Sequence, residues 1–335
     1  MAGFRVLWAN EFDPDARMSY KPNHPDSILD SRNICDVTPS DVLAACKLSE
    51  GELDLFDGSP PCQTFSTAGK RNMQDDRTDL FMEYARLVQG IQPKTFVAEN
   101  VSGMVKGVAK GQFKITLQIL RDCGYRVECR LLDAQWLGVP QQRQRVIFIG
   151  MRNDLELDPV FPKPLMYRYS VRDAIPWIIQ ATHRQGGFGP LTSTANRPSP
   201  AILKTGCELH VEAESALTEI QGKVYDKVEP GKSFQTKGYT ENYKGGFSKI
   251  RVSGDGASPT ISTQADLFHP TERRKFTIAE LKRIGAFPDD FELVGSYAKQ
   301  WARVGNSVPP LMMRAVAEQV RDSLTSASHG HDTRE

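Results

Sequence analysis

The sequence lacks the features of a secreted, membrane-bound or zinc-containing protein. Its 6 cysteines form no Cys-x-x-Cys pair and no spacing typical of metal ligands, which argues against structural zinc and fits a reducing compartment. It has no signal-peptide pattern and no apolar run long enough to span a membrane. We therefore expect a cytoplasmic protein, associated with the nucleoid if it binds DNA, and without a bound metal ion.

An excess of charge of either sign is also absent. The chain has 42 lysines and arginines against 41 aspartates and glutamates, a formal net charge of +1 at pH 7. Attraction to nucleic acid by overall charge is therefore weak, and any such binding must come from locally concentrated basic side chains. With 335 residues, the chain can form a full hydrophobic core and is expected to make two domains.

What is present is organised around the stretch from Asp57 to Ser66, DGSPPCQTFS. An apolar, strand-like run ends at Gly58, two prolines stiffen the next turn, and Cys62 follows the expected carboxyl end of the strand, where open α/β sheets hold their ligands. A thiol there can act as a nucleophile if its neighbours lower its pKa or accept its proton. The alternative is a small buried core cysteine, although the prolines argue against a packed helix or central strand.

Strand-like and helix-like runs alternate along the first half of the chain, which predicts a mostly parallel, doubly wound α/β sheet. In such a sheet Cys62 and Glu99 project from the same edge. Glu11 ends the first strand, a position from which carboxylates bind ribose hydroxyls, although a strand-end glutamate is more often just solvated. The expected strands are Phe4–Glu11, Thr95–Ala98, Arg126–Leu132 and Arg145–Ile149, and the segment Asn33–Val37 is expected to end another short strand. The expected helices are Asp41–Leu48, Leu80–Ile91 and Phe113–Cys123.

From about Pro159 to Ser262 the periodicity fades and glycine, proline, serine and lysine increase, which indicates a second, irregular domain with short strands. Between Lys223 and Arg251, seven basic residues stand against three acidic ones, with five aromatic residues interleaved. This mixture is typical of loops that contact phosphates and base edges, and it is equally compatible with a solvated basic surface.

Five short motifs, taken together, resemble those of the DNA cytosine-5 methyltransferase family. They occur in the family's order and at its approximate spacing, and the resemblance covers residues 4 to about 320. The motifs are Pro60-Pro61-Cys62-Gln63 with Ser66, Glu99-Asn100-Val101, Gln141-Gln142-Arg143-Gln144-Arg145, Phe287-Pro288-Asp289-Asp290-Phe291 and Gly305-Asn306-Ser307-Val308-Pro309-Pro310.

The resemblance implies a Rossmann-like catalytic domain that uses S-adenosylmethionine, and a smaller, irregular β-rich target-recognition domain. It implies as substrate a cytosine flipped out of a specific duplex DNA sequence, in a restriction-modification or phage-protection setting. The final helix is expected to end near Leu324. We place the catalytic domain at 1–165, the target-recognition domain at 166–275, a return segment with a C-terminal helix packed on the catalytic domain at 276–325, and a disordered tail at 326–335.

The resemblance assigns the chemistry to Cys62, Glu99, Arg143 and Arg145. C5 of cytosine is too weak a nucleophile to take a methyl group until a thiolate adds at C6, which would be the role of Cys62. Glu99 would hold N3 and the exocyclic amine from a desolvated pocket. Arg143 and Arg145 would hydrogen-bond the base carbonyl and position the pocket. A helix-capping carboxylate and a surface pair of arginines are the structural alternatives.

The contacts with the methyl donor and with DNA also follow from the resemblance. The loop from Thr64 to Arg77 is expected to close over the site. For S-adenosylmethionine, Glu11 would bind the ribose, Asp36 and Val37 the adenine, Pro60 and Leu80 would form walls, and Asn306 would meet the methionine end. The expected DNA contacts are Gln63, Ser66, Lys244, Lys249 and Arg251.

The chain departs from the family at its start. The family normally begins with a strand, a glycine-rich Phe-x-Gly-x-Gly loop beneath the donor, and a helix, whereas this sequence begins at Ala2-Gly3-Phe4, which resembles the turn after that helix. Three explanations are open: a start placed too late, a separate chain that supplies the missing piece, or a decayed copy.

Two other functions also stay open. One is a catalytically impaired DNA-binding or partner subunit of a split methyltransferase, which the missing donor loop favours. The other is an RNA cytosine methyltransferase that uses the same thiol chemistry. The Cys-Phe-Thr sequence typical of the tRNA-directed branch is absent, and the long variable region fits duplex reading better.

Overall fold

The computed structural model describes residues 1–60, 80–105, 110–175, 213–235 and 249–331. The chain divides into two compact units. The first unit contains Met1–Asp133, Gln144–Pro162 and Arg314–Glu335, and the second contains Ala134–Arg143 and Lys163–Met313. The motif from Gln141 to Arg145 is therefore shared between the two units.

The first unit contains two separate hydrogen-bonded sheets. Strands β1 (Trp8–Asn10) and β2 (Ile28–Asp30) pair in parallel. The second sheet has the order β3-β4-β6-β5, in which β3 is parallel to β4 and β6 is antiparallel to both β4 and β5. Its strands are β3 (Leu55–Gly58), β4 (Thr95–Val101), β5 (Tyr125–Asp133) and β6 (Gln144–Arg152).

The α/β expectation is confirmed, but the expectation of a mostly parallel sheet is wrong for the larger sheet. The segment between β5 and β6 is too short for a crossover, which parallel neighbours require, so these strands run antiparallel. Only β3 and β4 keep the parallel arrangement in that sheet. The carboxyl end of β4 consequently lies beside the beginning of β6.

Four helices accompany these strands: α1 (Pro14–Asn23), α2 (Pro39–Cys46), α3 (Leu80–Ile91) and α4 (Lys110–Asp122). Helix α2 begins with a capping box, in which the Thr38 hydroxyl accepts from Asp41 N and the Asp41 carboxylate accepts from Thr38 N. Helices α2, α3 and α4 lie close to their expected positions.

Two elements differ from expectation near the start of the chain. Helix α1 occupies a stretch without clear apolar periodicity, and it begins because the Asp13 side chain caps its first N–H groups and Pro14 suits the first turn. The segment 33–37, expected to end a strand, is a 3-10 turn at Ile34–Asp36. The Asn33 side chain accepts a hydrogen bond from Cys35 N, which favours a turn over an extended chain.

Helix α3 packs into two hydrophobic clusters of the first unit. Its Tyr84 and Val88 pack with Phe96 of β4, whereas its Leu87 packs with Val42 of α2. The apolar positions of α3 expected from the sequence are thus core positions. This packing fixes the beginning of helix α3. The segment that carries Cys62 lies directly before this helix in the sequence.

The second unit has short strands and mostly short helices around an aromatic core. Trp301 is fully buried with Phe276, Leu281 and Ile284. In the described parts of 166–275, the expected β structure is limited to two very short strands and isolated bridges. The elements are α5 (Val171–Ala174), α6 (Glu219–Tyr225), β7 (Ile250–Arg251), β8 (Leu267–Phe268), α7 (Ile278–Ile284), α8 (Tyr297–Asn306) and the beginning of α9 (Pro310–His331).

Helix α9 continues to His331, beyond its expected end near Leu324. Residues 326–331 are therefore helical, and the expectation of a disordered tail is wrong for them. No proline or glycine interrupts the helix between Leu311 and His329, which lets it continue. None of the helices in the described ranges is both long and apolar enough to cross a membrane.

Candidate active site

Glu99 and Arg145 form an ion pair between neighbouring strands. Glu99 of β4 lies opposite Ile147 of β6, and Val101 lies opposite Arg145, so the two charged residues are diagonal neighbours on one face. Arg145 Nε is 2.5 Å from Glu99 Oε1, and the side chains are 15% and 11% exposed. Since an adjacent guanidinium stabilises the ionised form of a carboxyl group, the pair presents an oriented carboxylate at the end of β4.

The chain that leads toward Cys62 is held against the end of β4. Because β3 is parallel to β4, with Gly58 opposite Ala98, both strands end at the same edge. Beyond that edge, Asn100 Nδ2 donates a hydrogen bond to Pro60 O over 3.2 Å, and both residues are buried. Asn100, the residue that follows Glu99, thus fixes the position of Pro60.

Cys62 itself lies outside the described residues, as do Gln63 and Ser66. The last described residue before them is Pro60. The shared edge is established as far as Pro60, and the proximity of the thiol to Glu99 stays a prediction.

Arg143 has surroundings different from those of Arg145. It is 2% exposed, and it donates hydrogen bonds from Nη1 to Ile261 O over 3.0 Å and from Nη2 to Gly305 O over 2.7 Å. These bonds join two backbone segments within the second unit, which is a positioning role. A contact of Arg143 with the base stays a prediction.

Glu11 and Asp36 come after the carboxyl ends of the parallel strands β1 and β2. Glu11 Oε1 accepts a hydrogen bond from Asp13 N over 2.9 Å, which orients its carboxylate, and Asp36 is exposed. Phe12, directly after Glu11, is 72% exposed, and sequence reasoning missed it. An exposed ring that follows such a carboxylate in the sequence offers a flat surface for a purine. The Glu-Phe pair at a strand end is the sequence signal that could have identified Phe12.

Val37 lies in the core of the first unit rather than at an exposed surface. Its side chain is fully buried, its N–H donates to Ile34 O, and its carbonyl accepts from Arg86 Nη2 over 2.8 Å. The described contacts of Val37 are therefore internal, and its contact with adenine stays a prediction.

The remaining residues assigned to the donor belong to different units. Pro60 is buried and Leu80 is half-buried, at the two ends of the segment 61–79 in the first unit. Asn306 is exposed at the end of α8 in the second unit.

Asp57 adds a charged group at the end of β3. Its side chain is accessible to solvent, but protein on most sides limits its hydration and raises its pKa. Burial, together with the charge of Asp57, raises the pKa of Tyr84, whose hydroxyl donates to Val97 O over 3.1 Å. Within the described ranges, no three or more His, Cys, Asp or Glu side chains form a group that could hold a metal ion.

Lys249 and Lys275 are two basic residues of the second unit. Lys275 is half-buried, which lowers its pKa, and the positive charge of Lys249 lowers it further. Lys275 was missed by sequence reasoning because it lies outside the basic segment. Lys244, the other lysine expected to contact DNA, lies outside the described residues.

Arg251 makes contacts within its own unit. Its guanidinium lies over the ring of Tyr225, 4.1 Å from the ring centre, and donates hydrogen bonds to Val228 O and Pro270 O. These contacts stabilise the fold around β7, and the assignment of Arg251 to DNA stays a prediction.

Comparison with known proteins gives an assignment consistent with the motifs. The family model of the C-5 cytosine-specific DNA methylase matches residues 1–322. Type II methyltransferase M1.HphI of Haemophilus parahaemolyticus is 33% identical over 328 residues, which cover 95% of this chain and 81% of that protein. Type II methyltransferase M.MthTI of Methanothermobacter thermautotrophicus is 30% identical over 333 residues, which cover 96% and 92%.

Solved structures support the Rossmann-like fold. A protein described as a DNA modification methyltransferase of an E. coli prophage superimposes with a TM-score of 0.74 at 24% identity, over 97% of this chain and 94% of its own. DNMT2 of Spodoptera frugiperda superimposes with a TM-score of 0.61 at 18% identity, over 97% and 93%. With the family model matching nearly the whole chain, the chain belongs to the C-5 cytosine-specific DNA methylase family, whose enzymes are DNA (cytosine-5-)-methyltransferases.

Proposed function

We propose that this protein transfers a methyl group from S-adenosylmethionine to C5 of a cytosine flipped out of a specific duplex DNA sequence. The observation that carries the proposal is the Glu99–Arg145 ion pair at the end of β4, beside the Asn100 contact that fixes Pro60. A base inside a duplex cannot reach these side chains, so the target must leave the stack. Because relatives are named Type II methyltransferases, we place the activity in a restriction-modification or phage-protection setting in the cytoplasm.

Cys62 and Glu99 have complementary tasks in this reaction. The Cys62 thiolate forms a bond to C6, and the electron pair displaced from the ring makes C5 nucleophilic. Once C5 carries the methyl group, the C5 proton passes to solvent water, the electron pair of the C5–H bond restores the double bond between C5 and C6, and the bond between Sγ and C6 breaks to return the thiolate. Glu99 holds N3 and the exocyclic amine, and it stabilises the ring as charge develops there.

The residues after β1 and β2 fit the nucleoside part of S-adenosylmethionine, which supplies the methyl group when bound. Glu11 is oriented for ribose hydroxyls, since a carboxylate at the end of a parallel strand is where Rossmann-like folds bind them. Asp36 is exposed for the adenine amine, and the Phe12 ring offers a stacking surface. Pro60 and Leu80 form walls of the S-adenosylmethionine site, and Asn306 contacts the methionine end of the donor.

Residues 166–275 read the duplex sequence, and Gln63 and Ser66 contact DNA from the segment around Cys62. Lys249 and Lys275 supply phosphate contacts, and Lys244 adds to them. Phosphate contacts set position and affinity, whereas side chains of the same region that reach base edges would set the sequence.

The experiment is methyl transfer from labelled S-adenosylmethionine to plasmid DNA and, separately, to tRNA, followed by sequencing of methylated cytosines. We expect label at C5 within one duplex sequence. Glu99→Gln should lower the rate by about 10²–10³ while duplex affinity stays within about twofold. Glu128→Gln, which changes an exposed carboxylate of β5, is the matched control. Label in tRNA alone, or an equal rate for Glu99→Gln and the parent, would contradict the proposal.

A further inference from the structure

Strand β5 is an outer strand of the larger sheet, whose order β3-β4-β6-β5 ends with it. Directly before β5, Gly124 O accepts a hydrogen bond from Asn153 N, which follows β6. Backbone groups alternate along a strand, so this bond means that the even-numbered residues of β5 bond to β6. The N–H and C=O groups of Val127, Cys129 and Leu131 therefore point away from the sheet.

This outer edge of β5 has no strand partner in the described part of the chain. Among the described residues, its contact comes from a side chain, since Arg121 Nη2 of α4 donates a hydrogen bond to Val127 O over 3.3 Å. At nine residues, β5 is as long as β6. A long edge with donors and acceptors in place is a template for pairing with another strand.

One face of β5 is apolar. Val127 and the half-buried Cys129 pack with side chains of α4 in the core of the first unit. Leu131 lies on the same face and is 43% exposed. A strand added at this edge would extend the apolar layer and cover Leu131.

The opposite face of β5 carries charges of alternating sign at Arg126, Glu128 and Arg130. Arg126 pairs with Asp158 at 3.4 Å, and the guanidinium of Arg130 lies over the ring of Phe161, 4.7 Å from its centre. Arg130 Nη2 and Glu128 Oε2 are 4.0 Å apart, and the two side chains are 58% and 54% exposed. An exposed pair at that separation contributes little to stability, so both charges can serve a second strand.

The charge pattern of β5 is complementary to itself when two copies run antiparallel with Cys129 on the two-fold axis. Glu128 of each copy then lies opposite Arg130 of the second copy, and Val127 lies opposite Leu131. The two Cys129 residues exchange both backbone hydrogen bonds.

Other antiparallel registers lack this match. Moving to the next hydrogen-bonded alignment in one direction places Arg126 opposite Arg130 of the second copy, and moving in the other direction places Arg130 opposite Arg130. Like charges directly opposite each other destabilise a strand pair, so the charges favour the register centred on Cys129.

We propose that the outer edge of β5 is the interface of a homodimer, in which two copies of this chain pair antiparallel about Cys129 and join their larger sheets into one. A two-fold axis uses the same surface of both copies, as a self-complementary edge requires. Because a single pair of strands forms a small interface, we expect the dimer to dissociate on dilution. This inference concerns assembly and goes beyond the proposed function.

Sedimentation velocity of the full chain without DNA, over a range of protein concentrations, tests the interface. We expect a monomer–dimer equilibrium in the parent. Glu128→Arg places like charges opposite each other and should weaken dimerisation about tenfold or more. Combining Glu128→Arg with Arg130→Glu should restore the dimer, because opposite charges face each other again. Asp54→Lys is the matched control, since it makes the same change in charge at an exposed ion pair outside β5.

A mixture of the Glu128→Cys and Arg130→Cys proteins tests the register. The introduced thiols would lie in a non-hydrogen-bonded pair, whose Cα atoms are about 4.5 Å apart, within the range that a disulfide spans. The mixed dimer also keeps one Glu128–Arg130 contact between the copies. We expect oxidation of the mixture to give a disulfide-linked dimer in severalfold higher yield than oxidation of either variant alone.

A parent that is monomeric at every concentration, or a dimer that Glu128→Arg leaves unchanged, would overturn the interface. Failure of the double variant to restore the dimer, or equal cross-linking of the mixture and the single variants, would overturn the register. Strand β5 carries none of the residues assigned to methyl transfer, so variants of this strand should keep that activity. Failure of the dimer is thus distinguishable from failure of the proposed function.

Discussion

The side-chain amide of Asn100 donates to the carbonyl oxygen of Pro60 over 3.2 Å, and this bond ties the chain before Cys62 to the end of β4. Asn100 Oδ1 also accepts from Val101 N over 2.8 Å. Asn100 therefore positions Pro60 relative to Glu99 without being required to touch the base, and we expect it to position the segment that carries Cys62.

Asn100→Ala should lower the rate of methyl transfer about tenfold, because the loss of a buried hydrogen bond costs about 1 kcal/mol or more and loosens the loop. Single-turnover kinetics and duplex affinity are the measurements, and affinity should change little. Asn100→Asp keeps the acceptor for Val101 N but places a carboxylate oxygen against the Pro60 carbonyl, so it should be at least as slow. Gln118→Ala, which removes an exposed amide of α4, is the control. A normal rate in both Asn100 variants would argue against the positioning role.

Phe12→Ala should weaken the binding of S-adenosylmethionine about tenfold, because the loss of a stacking surface typically costs about 1–3 kcal/mol. Since Phe12 is 72% exposed, the free energy of unfolding should stay within about 0.5 kcal/mol of the parent. Calorimetric titration measures the affinity, and Met82→Ala, an exposed apolar residue of α3, controls for surface change. Equal affinity for Phe12→Ala and the parent would remove Phe12 from the donor site.

Lys249→Gln with Lys275→Gln should weaken duplex binding uniformly across sequences and lower the salt dependence by about one counterion per lysine. Duplex titrations at several salt concentrations give this slope. Lys223→Gln is the matched control, because Lys223 lies in the same basic segment but its amine pairs with Glu219 at 2.7 Å. An unchanged slope in the double variant would place both lysines outside the DNA interface.

His269 makes stability depend on pH. It is fully buried, its Nδ1 accepts from Glu272 N over 2.9 Å, and its Nε2 lies 3.5 Å from Glu280 Oε1. Burial lowers the pKa of His269 to about 4, even though Glu280 acts in the opposite direction. An unfolded histidine has a pKa of about 6.5, so the unfolded chain binds the proton first as pH falls. Stability associated with this residue is therefore complete above about pH 6.5 and is lost progressively toward pH 4.

The measurement is urea unfolding at several pH values between 7 and 4.5. The parent should lose stability on the order of 2 kcal/mol more than His269→Gln over this interval, because the variant lacks the titrating group. Glu219→Gln, at an exposed position of α6, should follow the parent. Parallel pH curves for His269→Gln and the parent would show that another group controls the acid transition.

The sequence predicted elements that carry strong apolar periodicity, and it failed where local turn chemistry or tertiary pairing decides. Helix α3 and strand β4 follow their apolar patterns because both are buried in one core. Helix α1 has little apolar periodicity and depends on the Asp13 cap, whereas the orientation of β6 depends on pairing between strands distant in sequence.

The contacts in the candidate site divide in the same way between strand register and tertiary packing. The Glu99–Arg145 pair follows from strand register, which places two motif residues diagonally across β4 and β6. The backbone contacts of Arg143 and the burial of Val37 arise from tertiary packing, which short motifs do not encode.

The central claim is that Cys62 Sγ forms a covalent bond to C6 of the target cytosine. Duplex DNA with 5-fluorocytosine at the methylated position tests it directly, because fluorine does not leave as the C5 proton does and the adduct persists. With S-adenosylmethionine present, we expect a denaturation-stable adduct with the parent and with Cys46→Ala, a half-buried cysteine whose pKa burial raises, but none with Cys62→Ala. An adduct that persists in Cys62→Ala, or its absence in a parent protein that still methylates the same DNA, would contradict the mechanism.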